Sequence, residues 1–136
     1  MDVLWSIVIV LGILLVGAGV VRHRMGPRGL EISGAQLVGR LGQPDCVVLD
    51  VRSDREFRSG RIPGALHIPH TKVAARLDEL KPHKDKDIIV YCASGVRSRI
   101  AQNVLAKAGF ARVYHLVGDM AAWRRENRTV DLAPAH

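Results

Sequence analysis

The most informative stretch of this chain is Ile88-Ile89-Val90-Tyr91-Cys92-Ala93-Ser94-Gly95-Val96-Arg97-Ser98. Its first part, up to Tyr91, is continuously apolar, which is typical of a strand buried on both faces of a parallel sheet. Beyond Ser98, apolar residues recur at helical spacing until Gly109, a favoured residue type just past a helix end. The stretch therefore predicts a strand, a tight loop and a helix, with Cys92 at the carboxyl end of the strand.

Strand and helix patterns alternate on both sides of this unit. Cys46–Val51 is a second near-continuous apolar run, and Ser33–Gln36 and Ser53–Glu56 have the spacing of helix capping boxes. This alternation predicts an α/β fold with a parallel sheet flanked by helices, in which ligands gather at the carboxyl ends of the strands. The other predicted elements are strands at Ala65–Ile68 and Val113–Val117 and helices at Thr71–Leu80, Ile100–Ala108 and Gly118–Trp123.

An uncharged segment, Val3–Val21, precedes the α/β pattern. As a helix it would be about 28 Å long, close to the roughly 30 Å of bilayer hydrocarbon. Basic residues follow it, whereas the only charge before it is Asp2. By the positive-inside rule, residues 22–136 are expected in the cytoplasm, as the soluble part of a single-pass inner-membrane protein. We predict a transmembrane helix with a basic end over residues 1–24, in contact with the lipid bilayer, and a linker over 25–29.

A cleaved signal peptide is the alternative for this segment, because Gly17–Gly19 is a patch of small residues like those at a cleavage site. Signal peptides carry their positive charge before the apolar run, whereas here Arg22, Arg24 and Arg28 come after it. We therefore expect an uncleaved anchor.

The formal net charge of +7 over 136 residues raises the question of nucleic-acid binding. After the juxtamembrane end, the basic residues are scattered among acids, as in Lys84–Asp87, and no basic block is interleaved with stacking aromatics. We therefore expect no nucleic-acid partner. A surplus of cations suits a domain that handles small anions near an anionic membrane.

The residues around Cys92 are those of an anion-binding loop. A loop between a strand and a helix points its backbone N–H groups at its centre, and the helix N-terminus adds positive partial charge, which together favour a thiolate. A free cysteine can also be a small buried apolar residue, but that role does not account for the small residues, the glycine and the arginine that follow Cys92. Gly95 allows a tight turn, and Arg97 offers a fork-shaped cation to an oxyanion. The candidate site is Cys92 as nucleophile, with Ala93, Ser94, Gly95, Val96, Arg97 and Ser98 as its binding loop.

The loop from Tyr91 to Ser98 resembles the active-site loop of single-domain rhodaneses. Other segments resemble rhodanese motifs in the same order along the chain, and Asp119 stands where a second glycine is usual. The resemblance covers roughly residues 30–127, which leaves 128–136 as a C-terminal tail. The matching segments are Leu49–Arg52, Glu56–Phe57, Gly60–Ala65, Gly109–Phe110, Val113–Leu116 and Gly118–Trp123.

The resemblance implies sulfur transfer. The Cys92 thiolate would attack a small sulfur-containing anion such as thiosulfate, release sulfite and leave a persulfide held by the loop amides. The persulfide sulfur would then pass to a thiophilic acceptor such as cyanide or a thiol, with ping-pong kinetics. No metal or organic cofactor is implied.

Two other functions stay open at this point. Cysteine-based phosphatases and arsenate reductases, distantly related in fold to rhodaneses, also use a loop from cysteine to arginine, but theirs is one residue longer than the four-residue spacing Ala93 to Val96. The shorter loop makes a smaller cradle, suited to sulfur rather than to a tetrahedral phosphate. Some rhodanese-like domains are non-catalytic binding modules, but those often lack the cysteine, so Cys92 and Arg97 argue against that function.

Three residues outside the loop match the early motif. Asp50 and Arg52 are expected mainly to brace the fold, with Arg52 also a candidate for the mouth of the site, since the carboxyl ends of strands face it. Glu56 is expected to cap a helix rather than to act as an acid catalyst.

The second cysteine and a histidine pair carry no predicted chemistry. Cys46 starts its strand and Cys92 follows the end of a parallel one, so roughly 13 to 16 Å separates them and a disulfide is not expected. His67 and His70 have no further ligand types nearby in sequence, so no metal site is expected.

Overall fold

The computed structural model describes residues 29–132 and, outside that range, Val3 alone. The strands of the described part are β1 (Leu30–Ile32), β2 (Cys46–Asp50), β3 (Leu66–His67), β4 (Asp87–Tyr91) and β5 (Val113–Leu116). Its α-helices are α1 (Gly34–Val38), α2 (Asp54–Arg58), α3 (Val96–Lys107) and α4 (Asp119–Arg125), and 3₁₀ helices occur at His70–Lys72, Ala74–Glu79 and Lys81–His83. The strands form one parallel sheet in the spatial order β1-β5-β4-β2-β3. The predicted α/β class, a parallel sheet flanked by helices, is confirmed.

The predicted membrane segment Val3–Val21 lies outside the described residues, apart from Val3 itself. So do most of the predicted linker and the last residues of the predicted tail. No helix within the described part of the chain is both long enough and apolar enough to span a bilayer.

The central strand β4 is buried along its whole length, which agrees with its continuous apolar sequence. It pairs with β2 on one side and with β5 on the other. Its alternate side chains enter opposite cores. Ile88 and Val90 pack with Ala101 of α3, whereas Ile89 and Tyr91 belong to the core that contains Trp123 of α4. The core on both faces fixes β4, and Cys92 comes directly after its last residue.

The structure differs from the predicted elements in two places. The sequence pattern does not predict β1, a three-residue strand that forms by pairing with β5 at the edge of the sheet. The helix predicted at Thr71–Leu80 is wrong, because this segment consists of 3₁₀ turns in which Arg76 has non-helical dihedrals (φ −114°, ψ 23°). Short helices are marginal by themselves, so the packing of Val73 and Leu80 into the core determines the local backbone here.

Both predicted capping boxes are confirmed. In each, the serine side chain accepts from a backbone N–H three residues later, and the side chain of that residue accepts from the serine N–H. The pairs are Ser33 with Gln36 at α1 and Ser53 with Glu56 at α2. The second box fixes where α2 begins, beside the carboxyl edge of the sheet.

Candidate active site

The sulfur of Cys92 is buried at the start of α3. The residue is 1 % exposed. The Gly95 N–H donates to Cys92 Sγ at 3.0 Å, and Ser98 Oγ lies 3.5 Å from the same sulfur. Because α3 is a 12-residue helix, its N-terminus adds positive partial charge at this point. The Gly95 N–H and the helix N-terminus together favour a sulfur anion.

Gly95 gives the loop its shape. Its φ of 112° lies in the region that side chains rarely adopt. A Cβ atom at this position would lie 3.1 Å from Asp119 Oδ2. Glycine is therefore needed both for the backbone turn and for the close approach of the carboxylate behind it.

The first turn of α4 holds the other side of the loop. The Met120 N–H donates to the Cys92 carbonyl at 3.0 Å, and the Ala121 N–H donates to the Ala93 carbonyl at 3.1 Å. These bonds leave the backbone around the sulfur little freedom, so the N–H groups of the loop are held in a fixed orientation.

Two open pockets border the loop, and Cys92 lines neither of them. The first, of about 300 Å³, is lined by Ser94, Val96 and His115 among others. The second, of about 510 Å³, includes Ala93 and Arg52. A reagent therefore has to enter the loop itself to reach the sulfur.

Arg97 is already paired. Its Nη1 and Nη2 atoms donate to Glu56 Oε1 and Oε2 at 2.7 and 3.0 Å, a two-pronged contact between α3 and α2. The Arg97 guanidinium is the main cause that lowers the pKa of Glu56 to about 2, and Ser53 contributes in the same direction. Glu56 is thus the predicted helix cap and, in addition, the partner of the loop arginine. The sequence gives no local signal for that second contact, which spans 41 positions.

Arg52 and Asp50 form the brace expected from the sequence. The Arg52 Nε and Nη2 atoms donate to Asp50, at 2.7 Å for the Nη2–Oδ2 bond, and Nη2 also donates to the Gly60 carbonyl. The Tyr91 hydroxyl donates to Asp50 Oδ2 at 2.7 Å, and burial is the main cause that raises the pKa of Tyr91. Arg52 lines the larger pocket as well, so its role at the mouth of the site stays a prediction.

Asp119 lies directly beneath the loop and is 1 % exposed. Its Oδ1 atom accepts from the Cys92 N–H and from the Ser98 hydroxyl, both at 3.0 Å, and its Oδ2 atom lies 2.9 Å from His115 Nε2. Burial raises the pKa of Asp119, but the bonds from His115, Cys92 and Ser98 outweigh it and hold that pKa below its ordinary value. No pattern in the sequence predicts a role for Asp119 or His115. The one signal is that Asp119 stands where the rhodanese motif that this segment resembles usually has a second glycine.

The remaining candidates lie apart from the loop. Cys46 is half-buried at the start of β2, and both cysteines are free. Burial raises the pKa of the Cys46 thiol. His67 stacks on Phe57 with ring centroids 4.4 Å apart and lies 2.8 Å from the Arg52 carbonyl. Residues 29–132 contain no group of three or more side chains that could hold a metal ion.

The site as a whole brings together the predicted loop, a nucleophilic sulfur and a helix N-terminus. It can stabilise a thiolate or a persulfide anion, because a backbone N–H and the helix end point at the same atom. Arg97 is within the loop but directed at Glu56.

Known proteins share the sequence of this domain. The family model of the rhodanese-like domain matches residues 33–126. A sulfurtransferase from Allochromatium vinosum is 38 % identical over 96 residues, which cover 70 % of this chain and 88 % of that protein. The uncharacterized protein YibN of Escherichia coli is 39 % identical over 88 residues, or 64 % of this chain and 62 % of YibN. A tRNA uridine(34) hydroxylase from an Enterobacter species is 31 % identical over 104 residues, but the match covers 74 % of this chain and only 30 % of that protein.

The fold has solved counterparts. The crystal structure of a rhodanese-related protein from Thermoplasma volcanium superimposes with a TM-score of 0.69 at 29 % identity, over 76 % of this chain and 99 % of that one. The match to the rhodanese-like domain covers more than half of the chain. The chain belongs to the rhodanese-like domain family.

Proposed function

We propose that this protein is a sulfurtransferase that carries a sulfane sulfur as a persulfide on Cys92. The proposal depends most on the Gly95 N–H, which donates to Cys92 Sγ at 3.0 Å where α3 begins. An anionic sulfur at this point gains a hydrogen bond and the positive end of the helix. The Allochromatium vinosum relative, named a sulfurtransferase, supports the same chemistry.

Thiosulfate is the proposed type of donor. The Cys92 thiolate attacks the outer sulfur of thiosulfate, so that a new Sγ–S bond forms while the S–S bond of the donor breaks, and the electron pair of the broken bond leaves with sulfite. The persulfide anion then lies near the Gly95 N–H. Arg97 is proposed to bind the oxyanion end of the donor by exchanging Glu56 for it.

A thiol or cyanide is the proposed acceptor. The acceptor anion attacks the outer persulfide sulfur, the Sγ–S bond breaks, and its electron pair returns to Cys92 as thiolate. The products are thiocyanate from cyanide or a new persulfide from a thiol. The loaded protein is a covalent intermediate between two half-reactions, which gives ping-pong kinetics.

Attachment to the inner membrane through Val3–Val21, with residues 22–136 in the cytoplasm, belongs to the same proposal. It is supported by the length of the charge-free run and by the basic residues after it. Alkali extraction of membranes that contain the full chain tests it. The full-length chain is expected in the pellet, and its release as a shortened protein would instead support a cleaved signal peptide.

A phosphatase is less well supported. Four residues separate Cys92 from Arg97, one fewer than in cysteine phosphatases, and the shorter loop makes a smaller cradle that suits sulfur better than a tetrahedral phosphate.

Intact-mass analysis of the full chain before and after thiosulfate tests the sulfurtransferase proposal. The wild type and a Cys46→Ser control are expected to gain the mass of one sulfur atom, and cyanide is expected to remove it. The Cys92→Ser variant is expected to gain nothing. A gain retained in Cys92→Ser, or no gain in the wild type, would contradict the proposal.

A further inference from the structure

The backbone of Asp119 has a conformation that favours glycine. Its φ of 54° is in the left-handed region, where an aspartate is uncommon and a glycine is unstrained. The side chain is nevertheless fully engaged beneath the cysteine loop, with the Cys92 N–H and the Ser98 hydroxyl on one oxygen and His115 on the other. A buried carboxylate in contact with a reactive residue points to an effect on that residue.

The Ser98 hydroxyl has one proton and two neighbouring oxygen acceptors, the Gly95 carbonyl at 3.1 Å and Asp119 Oδ1 at 3.0 Å. The Cys92 thiol donates to Ser98 Oγ at 3.5 Å, whereas a thiolate at the same place would compete for the Ser98 proton. A charged acceptor forms the stronger hydrogen bond, so an ionised Asp119 takes the proton. The lone pairs of Ser98 are then left facing the sulfur, where they accept a bond from the thiol but oppose a thiolate.

His115 fixes the orientation of this carboxylate. Because Asp119 is ionised, the Nε2 atom of His115 carries the proton of their 2.9 Å contact. The Nδ1 atom of the same ring is buried and has no hydrogen-bond partner among the described residues. The imidazole thus donates to Asp119 Oδ2, which leaves Oδ1 directed at Cys92 and Ser98.

We propose that Asp119, oriented by His115, is a positioning residue that draws the Ser98 proton away from the Cys92 sulfur and so restrains ionisation of the thiol. The inference rests on the proposed function only because it takes Cys92 as the nucleophile. Two effects disfavour the Cys92 thiolate: Asp119 competes with it for the Ser98 proton, and the carboxylate repels a second negative charge in the same buried cluster.

Other charged groups face this cluster. Glu31 pairs in register with His115 across β1 and β5, and it lies 4.0 Å from Arg99 of α3. Both residues line the pocket that His115 and Asp119 also border. Arg97 is paired with Glu56. Glu31 offers a matched control, because it is a second carboxylate at the same pocket that has no contact with Ser98 or Cys92.

The test is the pH dependence of Cys92 carboxymethylation by iodoacetamide in the full-length protein, in a Cys46→Ser background. In Asp119→Asn, the midpoint of the profile is expected to fall by roughly one pH unit, the size typical of one nearby charge, with the high-pH plateau unchanged.

Asparagine tolerates the left-handed backbone and keeps the shape of the side chain. Glu31→Gln is expected to leave the midpoint where it is. An unchanged midpoint in Asp119→Asn would overturn the proposal, whether or not the plateau had risen.

His115 supplies an independent test of opposite sign. His115→Leu removes the hydrogen-bond donor from Asp119 Oδ2, so the negative charge of the carboxylate is less well compensated and the midpoint of the Cys92 profile is expected to rise. His115→Gln keeps an N–H donor, so its midpoint is expected to stay close to that of the wild type. In a Ser98→Ala background the effect of Asp119→Asn is expected to shrink, because the shared hydroxyl is gone. A fall of the midpoint in His115→Leu, or an undiminished effect without Ser98, would contradict the proposed route. None of these readouts requires sulfur transfer, so they separate failure of this inference from failure of the proposed function.

Discussion

At the scale of single residues, Glu56 occupies the arginine that a bound anion would need, and the sequence does not reveal this contact. Arg97 is the loop cation best suited to an oxyanion, yet its fork is held by Glu56 at 2.7 and 3.0 Å. On the proposed function, a donor anion that binds Arg97 must displace this carboxylate. We therefore expect Glu56 to weaken the binding of anionic donors while it orders Arg97.

We predict that Glu56→Gln lowers the KM for thiosulfate about threefold to tenfold, since loss of one charge-assisted contact of this kind corresponds to about 1 kcal/mol. Glutamine can still complete the capping box with Ser53, so α2 should begin at the same residue. Steady-state kinetics with thiosulfate checks the effect. Glu79→Gln, which removes the partner of Arg76 on an exposed 3₁₀ turn, is the control. A higher KM in Glu56→Gln would mean that orienting Arg97 outweighs the competition.

At the scale of secondary-structure elements, the contact between α4 and the cysteine loop depends on how tightly the chain turns after β5. Gly118 has a φ of 77°, and a Cβ atom there would lie 2.4 Å from the Ala122 Cβ. That overlap would push the first turn of α4 away from the carbonyls of Cys92 and Ala93, to which it is hydrogen-bonded.

Gly118→Ala is expected to destabilise the fold by about 1 kcal/mol from the left-handed backbone, plus about 1 to 3 kcal/mol from the overlap. Gly64→Ala separates the two costs, because Gly64 has nearly the same φ, 75°, with nothing within 4 Å of its Cβ position. Urea unfolding of both variants measures the difference. Equal losses of stability would show that the α4 turn yields without strain.

The local parts of the fold could be predicted from the sequence, whereas the contacts that complete the site could not. Ser53 and Glu56 lie three positions apart, so their capping box is visible as a spacing, and the apolar run up to Tyr91 indicates a buried strand. The short strand β1 depends on its pairing with β5, and no pattern within it is long enough to show a period. The bonds from Asp119 to the loop join residues that are 27 and 21 positions apart, so no local spacing reveals them.

At the scale of the whole molecule, the Arg97–Glu56 pair connects α2, which follows β2, with α3, which follows β4. The pKa of Glu56 is lowered to about 2 from an ordinary value of 4.5. A carboxyl with a depressed pKa contributes its stability above the ordinary pKa and loses it as pH falls through the depressed one. The pair therefore stabilises the fold at neutral pH and ceases to do so between about pH 4.5 and 2.

The difference in free energy of unfolding between the wild type and Glu56→Gln is accordingly expected to be largest above pH 5 and to vanish toward pH 2. Because 35 % of the Glu56 side chain is exposed, solvent screening limits the contribution to about 1 kcal/mol. Thermal unfolding measured across this pH range checks the prediction. A difference that does not change with pH would mean that the substitution acts through packing rather than charge.

The near-complete burial of Cys92 has a further consequence for time rather than for chemistry. On the proposed function, a sulfur atom loaded at this position would be reached only by an acceptor small or protruding enough to enter the loop. We therefore expect the loaded protein to persist until such an acceptor arrives, with an interval between loading and unloading that the acceptor controls.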